Sequence, residues 1–192
     1  MNLPSPSLLA AHWDLDPEVV FLNHGSFGAC PRVVLEEQAR LRTRIEAEPV
    51  RFFVEDIERE LDKAKASLGQ FIGAAPEDLA FVANATSGVN TVLRSLDLGP
   101  NDELLVTDHE YNACRNALDF VAARAGAAVV VAHVPFPLSS PEEVVEAILA
   151  KVTDRTRLAL VDHITSATGI VMPIEEIVSR LRERGVDTLV DG

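Results

Sequence analysis

Polar side chains follow four short apolar runs of this sequence, at the places where β-strands are expected to end. They occupy residues 84–90, 108–112, 162–166 and 191–192. In an open α/β sheet the ligand binds beyond the carboxyl ends of the strands, so these four segments could converge on one crevice. Their side chains would suit a ligand that carries a phosphate group, a flat ring and a ring nitrogen.

Each of these polar features also has a structural interpretation. The small and hydroxyl residues at 85–88 begin an expected helix, whose free N–H groups could hold a phosphate or simply form an N-cap. His109 and Tyr111 could offer a flat ring for stacking, although a histidine at a strand end is often a structural hydrogen-bonding group. Asp191 could interact with a ligand ring nitrogen or could cap a following helix.

The order of apolar patterns predicts the elements that position these residues. Two helices come first, one after Pro31 and one over 53–71, and strands and helices then alternate. Residues 129–131 and 158–161 are continuously apolar, as expected when helices cover both faces of a sheet. The pattern predicts a mostly parallel, doubly wound α/β sheet. The expected strands are 79–83, 103–107, 127–134, 156–162 and 186–191, and the expected helices are 86–96, 112–125, 140–151 and 173–184.

Composition and charge exclude several classes of protein. The chain has 192 residues, with 17 Lys and Arg against 30 Asp and Glu, and its net charge of −13 argues against a nucleic-acid partner. Cys30 and Cys114 form no CxxC pair, which favours a reducing, cytoplasmic compartment. No Lys or Arg precedes Arg32, and no apolar stretch is long enough for a membrane span, so neither export nor membrane insertion is indicated.

Common catalytic and nucleotide-binding motifs are absent from the sequence. Neither GxxxxGK[ST] nor a GxGxxG after a strand occurs, and the His109-Glu110 pair has Ala113 where a zinc protease needs histidine. Residues 25–28 do not form the GxSxG nucleophile elbow. Cys30 precedes a proline and has no recognisable base partner, so we interpret it as structural. No metal site is expected.

Taken together, five segments resemble the class V aminotransferases of the pyridoxal-phosphate fold type I superfamily. They are FLNHGSFGACP (21–31), NATSGVN (84–90), DHEYNAC (108–114), VDHITSATGIVMPIEEI (161–177) and LVDG (189–192). The isopenicillin N epimerase-like proteins are the most similar branch, with cysteine desulfurases as relatives. The resemblance implies the large domain of that fold, with residues 1–20 as an N-terminal arm and 21–192 as the N-terminal part of the cofactor-binding domain.

The resemblance implies that the cofactor is pyridoxal 5'-phosphate and that the polar strand ends hold it. Its phosphate would lie at Ala85, Thr86 and Ser87, with a hydroxyl from Thr86 and N–H groups from the helix start. Asp191 would pair with the pyridine nitrogen and keep it protonated. A protonated ring is an electron sink for a carbanion at the α-carbon of the substrate.

Further positions of the resemblance concern the cofactor ring and the substrate. His109 would stack on the ring, with Tyr111 as the alternative, and His109 and Asp191 are the catalytic candidates. Ser166, or Thr165 beside it, would contact the phenolic oxygen of the cofactor. The substrate side of the pocket would be lined by Asn23, His24, Gly25 and Ser26.

One feature of the family pattern is missing from this chain. The catalytic lysine, which forms the Schiff base with the cofactor, lies downstream of the aspartate that matches Asp191. Lys63, Lys65 and Lys151 are the lysines of this sequence, and none occupies that place. We therefore expect a fold type I large domain truncated before the lysine and before the small C-terminal domain, and inactive by itself.

The resemblance leaves several functions open. It implies an enzyme that acts on an amino acid, either as an epimerase, racemase or aminotransferase, or as a C–S lyase of the cysteine desulfurase kind. It also implies a homodimer, in which an apolar stripe over residues 51–71 could face a second subunit or the chain's own core. The alternative of another class is a noncatalytic α/β module that binds a partner or a phosphate ligand.

Overall fold

A computed structural model of the protein describes residues 7–25 and 27–192. The chain forms two units, Met1–Ala80 and Phe81–Gly192, and the β-sheet belongs to the second unit. Within the expected N-terminal arm, Leu8–His12 forms a 3-10 helical turn. The expected division between residues 20 and 21 stays a prediction.

The described part of the first unit contains helices joined by turns and irregular segments. Its two long helices are α1 (Arg32–Ala47) and α3 (Ile57–Ile72), which confirms the two helices expected from the apolar spacing. A single helical turn, α2 (Pro49–Arg51), and a π-helical turn over Phe52–Asp56 lie between them. A 3-10 turn follows at Pro76–Asp78.

Arg44 joins the two long helices of the first unit. Its guanidinium group lies 3.4 Å from Asp56 and 3.2 Å from Glu60, and 5.5 Å from the centre of the Phe52 ring. After α3 the chain reverses at Gly73, whose φ of 74° is a left-handed conformation that glycine adopts without steric cost.

The second unit contains one sheet of four parallel strands, in the order β2-β1-β3-β4. This arrangement confirms the predicted α/β class with a mostly parallel sheet. The strands are β1 (Glu103–Thr107), β2 (Ala128–Ala132), β3 (Thr156–Asp162) and β4 (Asp187–Asp191). The helices are α4 (Ala85–Ser95), α5 (Asn112–Ala125), α6 (Pro141–Leu149) and α7 (Ile174–Arg182).

Helices cover both faces of this sheet. Successive residues of a strand point to opposite faces, and the neighbouring residues Leu104 and Leu105 of β1 enter different parts of the core. Leu104 packs among buried side chains of α4 and α5, whereas Leu105 packs among those of α6 and α7. The double cover explains why the central strands are continuously apolar.

The expected strand at 79–83 is wrong. None of the strands in the described ranges pairs with this segment, and Phe81 and Val82 each leave about half of their surface exposed. An apolar run becomes a strand only where a neighbouring strand supplies partners for its N–H and C=O groups. In this protein the segment instead leads into α4, whose N-cap is Asn84.

The other expected elements are confirmed, with small changes at their ends. β1, α5 and β3 have the expected bounds, and β2 and α6 are shorter than expected. Ser140 is the N-cap residue of α6 and Pro141 its first residue, while Glu143 accepts the backbone N–H of Ser139 at 2.9 Å.

In the described part of the chain, no helix has the length and apolar character that crossing a membrane requires.

Candidate functional site

A small cavity lies at the carboxyl ends of β3 and β4. The two strands are parallel and in register, with Asp162 opposite Asp191, so both strand ends meet at the same edge of the sheet. The cavity has a volume of about 160 Å³. It is lined by Tyr111, Asp162, His163, Ile164, Ser166, Asp191 and Gly192.

The backbone comes close together at the Gly192 end of the cavity. The N–H of His163 donates to the carbonyl oxygen of Asp191 at 2.6 Å. A Cβ atom on Gly192 would lie 2.9 Å from the carbonyl oxygen of His163, which is closer than such atoms pack. Only glycine therefore fits this approach of the two strand ends.

The Asp191 carboxylate has a thiol and a further carboxyl group beside it. Cys114, fully buried on α5, donates its S–H to Oδ2 of Asp191 at 3.0 Å. Glu110, four residues before Cys114, completes a group in which one oxygen or sulfur atom from each residue lies within 4.8 Å of the others. Such a group could also hold a metal ion, although the ion would have to displace the thiol proton.

Burial and mutual repulsion keep protons on this group. Burial, followed by the nearby Asp162 and Asp191, raises the pKa of Glu110 to about 9. Burial also raises the pKa of Asp162, and it raises the pKa of Cys114 to about 12 with the help of Asp191. At neutral pH the thiol is therefore a hydrogen-bond donor, and the Glu110 carboxyl group is neutral.

Asp162 and Glu110 lack the hydrogen bonds that buried carboxylates require. Asp162 is only 2% exposed, and as carboxylates neither residue has a hydrogen-bond partner for its oxygens within the described residues. A proton on Glu110 lets that carboxyl group donate to Asp162 and satisfies one oxygen of each side chain. No cation among the described residues is hydrogen-bonded to the remaining negative charge, because Arg115 acts on Glu110 through its charge alone and pairs with Asp119. The cavity is therefore suited to a positively charged group.

His109 is not one of the residues that line this cavity, although it interacts through its charge with Asp162, which does. The His109 side chain is 9% exposed, and both of its ring nitrogens contact protein groups. Nδ1 lies 2.8 Å from the Thr168 hydroxyl, and Nε2 lies 2.9 Å from the carbonyl oxygen of Val134. Tyr111, the alternative ring, lines the cavity and is 48% exposed.

The structure separates the two neighbouring hydroxyl candidates. Ser166 is exposed and lines the cavity. Thr165 is buried, and its hydroxyl contacts the hydroxyl of Thr168 at 2.9 Å and accepts the N–H of Ile170 at 2.8 Å. Of the two, Ser166 is therefore the one whose hydroxyl can reach a bound group.

The expected phosphate residues form the first turn of α4. Asn84, rather than a residue of the 85–87 segment, caps this helix, because its side-chain oxygen accepts the N–H of Ser87 at 2.8 Å. The N–H groups of Ala85 and Thr86 belong to the turn in which helix geometry leaves donors without intrahelical partners. The phosphate role of Ala85, Thr86 and Ser87 stays a prediction.

The expected substrate residues belong to the first unit. The His24 ring packs against Trp13, with ring centres 5.8 Å apart, and against Phe21 at 4.6 Å. Asn23 and Gly25 belong to the same loop, and Ser26 lies outside the described residues. The substrate role of these residues stays a prediction.

Three residues of the cavity region were not singled out from the sequence. In the sequence, Cys114 enters only the argument that the two cysteines form no CxxC pair. Glu110 and Asp162 appear there only as members of polar segments. The spacing of Glu110 and Cys114 gives no signal of this contact, because Glu110 precedes α5, whose N-cap is Tyr111. The contact of Asp162 with this pair depends on how β3 pairs with its neighbours.

Comparison with known proteins supplies independent information about this chain. The family model described as aminotransferase class-V matches residues 20–192. The isopenicillin N epimerases of Streptomyces clavuligerus and Amycolatopsis lactamdurans are 38% and 40% identical over 93% of this chain, which spans 45% of each relative. The putative L-cysteine desulfhydrase 2 of Oryza sativa is 33% identical over 90% of this chain, which spans 39% of that protein.

Solved structures agree on the fold. A complex of the cystine C–S lyase C-DES with its reaction product cysteine persulfide is 26% identical, with a TM-score of 0.79 over 90% of this chain and 46% of that one. The cysteine desulfurase CsdA of Escherichia coli has a TM-score of 0.80 over 98% of this chain and 49% of that one, and at 19% identity it supports the fold alone. The chain therefore spans about half the length of the proteins it matches, or less.

Proposed function

The chain belongs to the class-V aminotransferase family, and on that premise we propose that the protein is a pyridoxal-phosphate-dependent enzyme that acts on an amino acid. Among the reactions of such enzymes we propose epimerisation or racemisation at the α-carbon first, with transamination as a close variant. The two isopenicillin N epimerases, at 38% and 40% identity, support this order.

The negative cavity at the ends of β3 and β4 is the observation that carries the proposal. Asp162 is buried with no cation paired to it among the described residues, Glu110 retains its proton, and a thiol donates the hydrogen bond that Asp191 receives there. A protonated pyridine nitrogen would supply the missing positive charge and an N–H for Asp191. The residues of this cavity therefore fit the cofactor.

The residues of this chain would bind the cofactor at several points. The Asp191 carboxylate would accept the pyridine N–H, while the Cys114 thiol keeps that carboxylate oriented. The first turn of α4 would bind the phosphate through its N–H groups, and the exposed hydroxyl of Ser166 would hydrogen-bond to the ring substituents. When bound, the protonated ring withdraws electrons from the α-carbon of an amino acid.

Titration of the full-length, cofactor-free protein with pyridoxal 5'-phosphate tests this proposal. We expect Asp191→Asn to weaken binding about 10- to 100-fold, because a hydrogen bond to a charged group contributes about 1.5–3 kcal/mol. Asp187→Asn is the matched control, since Asp187 is an exposed residue at the opposite end of the same strand. Equal affinities for the wild-type protein and Asp191→Asn would contradict the assignment.

A C–S lyase is the second candidate function. The 33% identical putative L-cysteine desulfhydrase and the structural match to a cystine C–S lyase favour it. Incubation of the full-length protein with L-cysteine or cystine in deuterated water separates the candidates. Release of sulfide or a persulfide indicates the lyase, and exchange of the α-proton of an amino acid without loss of sulfur indicates the epimerase. A protein that does not bind the cofactor would instead support the noncatalytic module.

We also propose that the protein is a cytoplasmic homodimer. The two cysteines form no disulfide, in agreement with a reducing compartment. Leu61, Leu68 and Phe71, which belong to the apolar stripe of α3, are exposed by 44%, 37% and 87%. Sedimentation of the full-length protein tests the dimer, and a stable monomer would contradict it.

A further inference from the structure

Three side chains and two backbone groups form a continuous chain of hydrogen bonds through His109. At one end the N–H of Ile170 meets the hydroxyl of Thr165, which lies 2.9 Å from the hydroxyl of Thr168. Thr168 lies 2.8 Å from Nδ1 of His109, and Nε2 of the same ring lies 2.9 Å from the carbonyl oxygen of Val134.

The two ends of this chain determine its direction. The carbonyl oxygen of Val134 can only accept, so Nε2 of His109 must carry a proton. The N–H of Ile170 can only donate, so Thr165 accepts there and uses its own proton toward Thr168. Thr168 in turn donates to Nδ1, and every proton in the series then has one acceptor.

A second proton on the ring would break this order. With Nδ1 protonated, the Thr168 hydroxyl would have to accept from the ring as well as from Thr165. Thr168 is only partly exposed, and its own proton would then have no acceptor among its observed partners.

Two carboxylates act on His109 through their charge but form no hydrogen bond with its ring. Oδ1 of Asp108 lies 3.7 Å from Nε2, beyond hydrogen-bond distance, and the same carboxylate accepts the N–H of Val134 at 2.9 Å and pairs with the exposed His133. Asp162 acts on His109 through its charge only. The hydrogen bonds of the ring are made by Thr168 and Val134.

We propose that Thr168 and Thr165 are positioning residues, which hold His109 as a neutral imidazole with its proton on Nε2. The ring then contributes to the site by contact through its flat face, and it is not the group that exchanges a proton with the substrate. The tautomer follows from the protein's own contacts. The role of the ring face toward a bound cofactor rests on the function proposed above.

Nitrogen NMR of the full-length, cofactor-free protein labelled at histidine tests the tautomer, with His109 assigned by the loss of its signals in His109→Gln. We expect a protonated Nε2 and an accepting Nδ1 in the wild-type protein at neutral pH. A ring protonated on Nδ1, or on both nitrogens, would overturn the proposal without bearing on whether the cofactor binds.

Variants of Thr168 test the positioning role. In Thr168→Val we expect the Nδ1 signal to move to that of an unbonded nitrogen, and the Nε2 proton to exchange with solvent about fivefold faster, as the loss of about 1 kcal/mol of hydrogen bonding predicts. Thr168→Ser keeps the donor and should retain the wild-type signals. Wild-type signals in Thr168→Val would contradict the proposal.

The absorption spectrum of the bound cofactor tests the role of the ring face. We expect it to change in Thr168→Val and to remain as in the wild-type protein in Thr168→Ser, because only the first variant releases the ring. A protein that binds no cofactor would refute the proposed function and leave the NMR result standing. An unchanged spectrum in a loaded Thr168→Val protein would refute the role of the ring.

Discussion

A thiol and a protonated carboxyl group lie beside the Asp191 carboxylate, and no cation pairs with it among the described residues. The Cys114 thiol donates to Asp191, the Glu110 carboxyl group carries a proton, and Asp162 is buried beside them. A protein ordinarily pairs a buried carboxylate with a positive side chain. Among the described residues, no positive side chain pairs with the carboxylates at this edge of the sheet. A site for a cationic ring requires such an unpaired negative charge.

The Cys114 thiol should contribute to cofactor binding by orienting Asp191. We expect Cys114→Ala to weaken binding of pyridoxal 5'-phosphate about 10-fold, because Asp191 loses a donor to a charged oxygen. Cys114→Ser retains a donor and should stay within about threefold of the wild-type protein. Cys30→Ala, which changes an exposed cysteine, is the control. Titration of the full-length apoprotein measures all three, and equal affinities for Cys114→Ala and Cys30→Ala would count against the orienting role.

The raised pKa of Glu110 predicts a dependence of stability on pH. A glutamate with a pKa of 4.5 in the unfolded chain and about 9 in the folded one binds its proton more tightly when folded. The free energy of unfolding of the wild-type protein therefore falls as the pH rises from about 4.5 to about 9. In Glu110→Gln the contribution of this carboxyl group to that fall is absent. At pH 8 we expect the cofactor-free variant to be more stable, on the order of 2 kcal/mol after allowance for partial exposure.

Thermal unfolding of the cofactor-free protein at acidic and alkaline pH measures this effect. Glu146→Gln is the control, because Glu146 is an exposed residue of α6. A gain of stability for Glu110→Gln that is the same at pH 5 and at pH 8 would show that the carboxyl group does not titrate as described.

Sequence reasoning identified the residues whose position follows from strand order. Asp191 and Ser166 were expected because each stands just after an apolar run, and both line the cavity. Glu110, Cys114 and Asp162 were missed as a group, because their proximity depends on strand register and on the side of α5 that meets the sheet. Neither property can be read from local spacing.

At the scale of elements, the sequence predicts best where burial is continuous. β1 and β3 have the expected bounds because both are apolar on both faces and end in polar residues. The 79–83 segment has a similar composition but no paired strand beside it among the described elements. A strand depends on its neighbours as well as on its own residues.

The amino ends of β1 and β3 are held together by Glu103. Its side chain is 5% exposed, pairs with Arg155 and accepts the Thr153 hydroxyl at 2.5 Å. We expect Arg155→Ala to lower the free energy of unfolding by about 1–2 kcal/mol, because it leaves a buried carboxylate without its cation. Arg157→Ala is the matched control, since this arginine of β3 is also exposed and lies 3.7 Å from Asp102, and it should cost about 0.5 kcal/mol or less.

Urea unfolding of the full-length protein compares the two arginine variants. The difference between them should appear as a shift of the midpoint with little change of slope. Equal losses of stability in Arg155→Ala and Arg157→Ala would mean that the Glu103 pair contributes no more than an ordinary surface ion pair.

At the scale of the whole molecule, the proposed cofactor site has no lysine among the residues that line its cavity. Lys63 and Lys65 belong to α3, where they pair with Glu60 and Asp62, and Lys151 follows α6 on the surface. The chain spans 45% of the length of the two isopenicillin N epimerases. The proposed enzyme therefore requires a lysine that these 192 residues do not supply.

Borohydride reduction of the natively produced, full-length protein, followed by intact-mass measurement and peptide mapping, tests this account most directly. Reduction fixes a lysine-bound cofactor permanently. We predict a single pyridoxal-phosphate adduct on a lysine other than Lys63, Lys65 and Lys151. A reduced protein without an adduct, or an adduct confined to those three lysines, would contradict the assignment of this chain to a pyridoxal-phosphate enzyme.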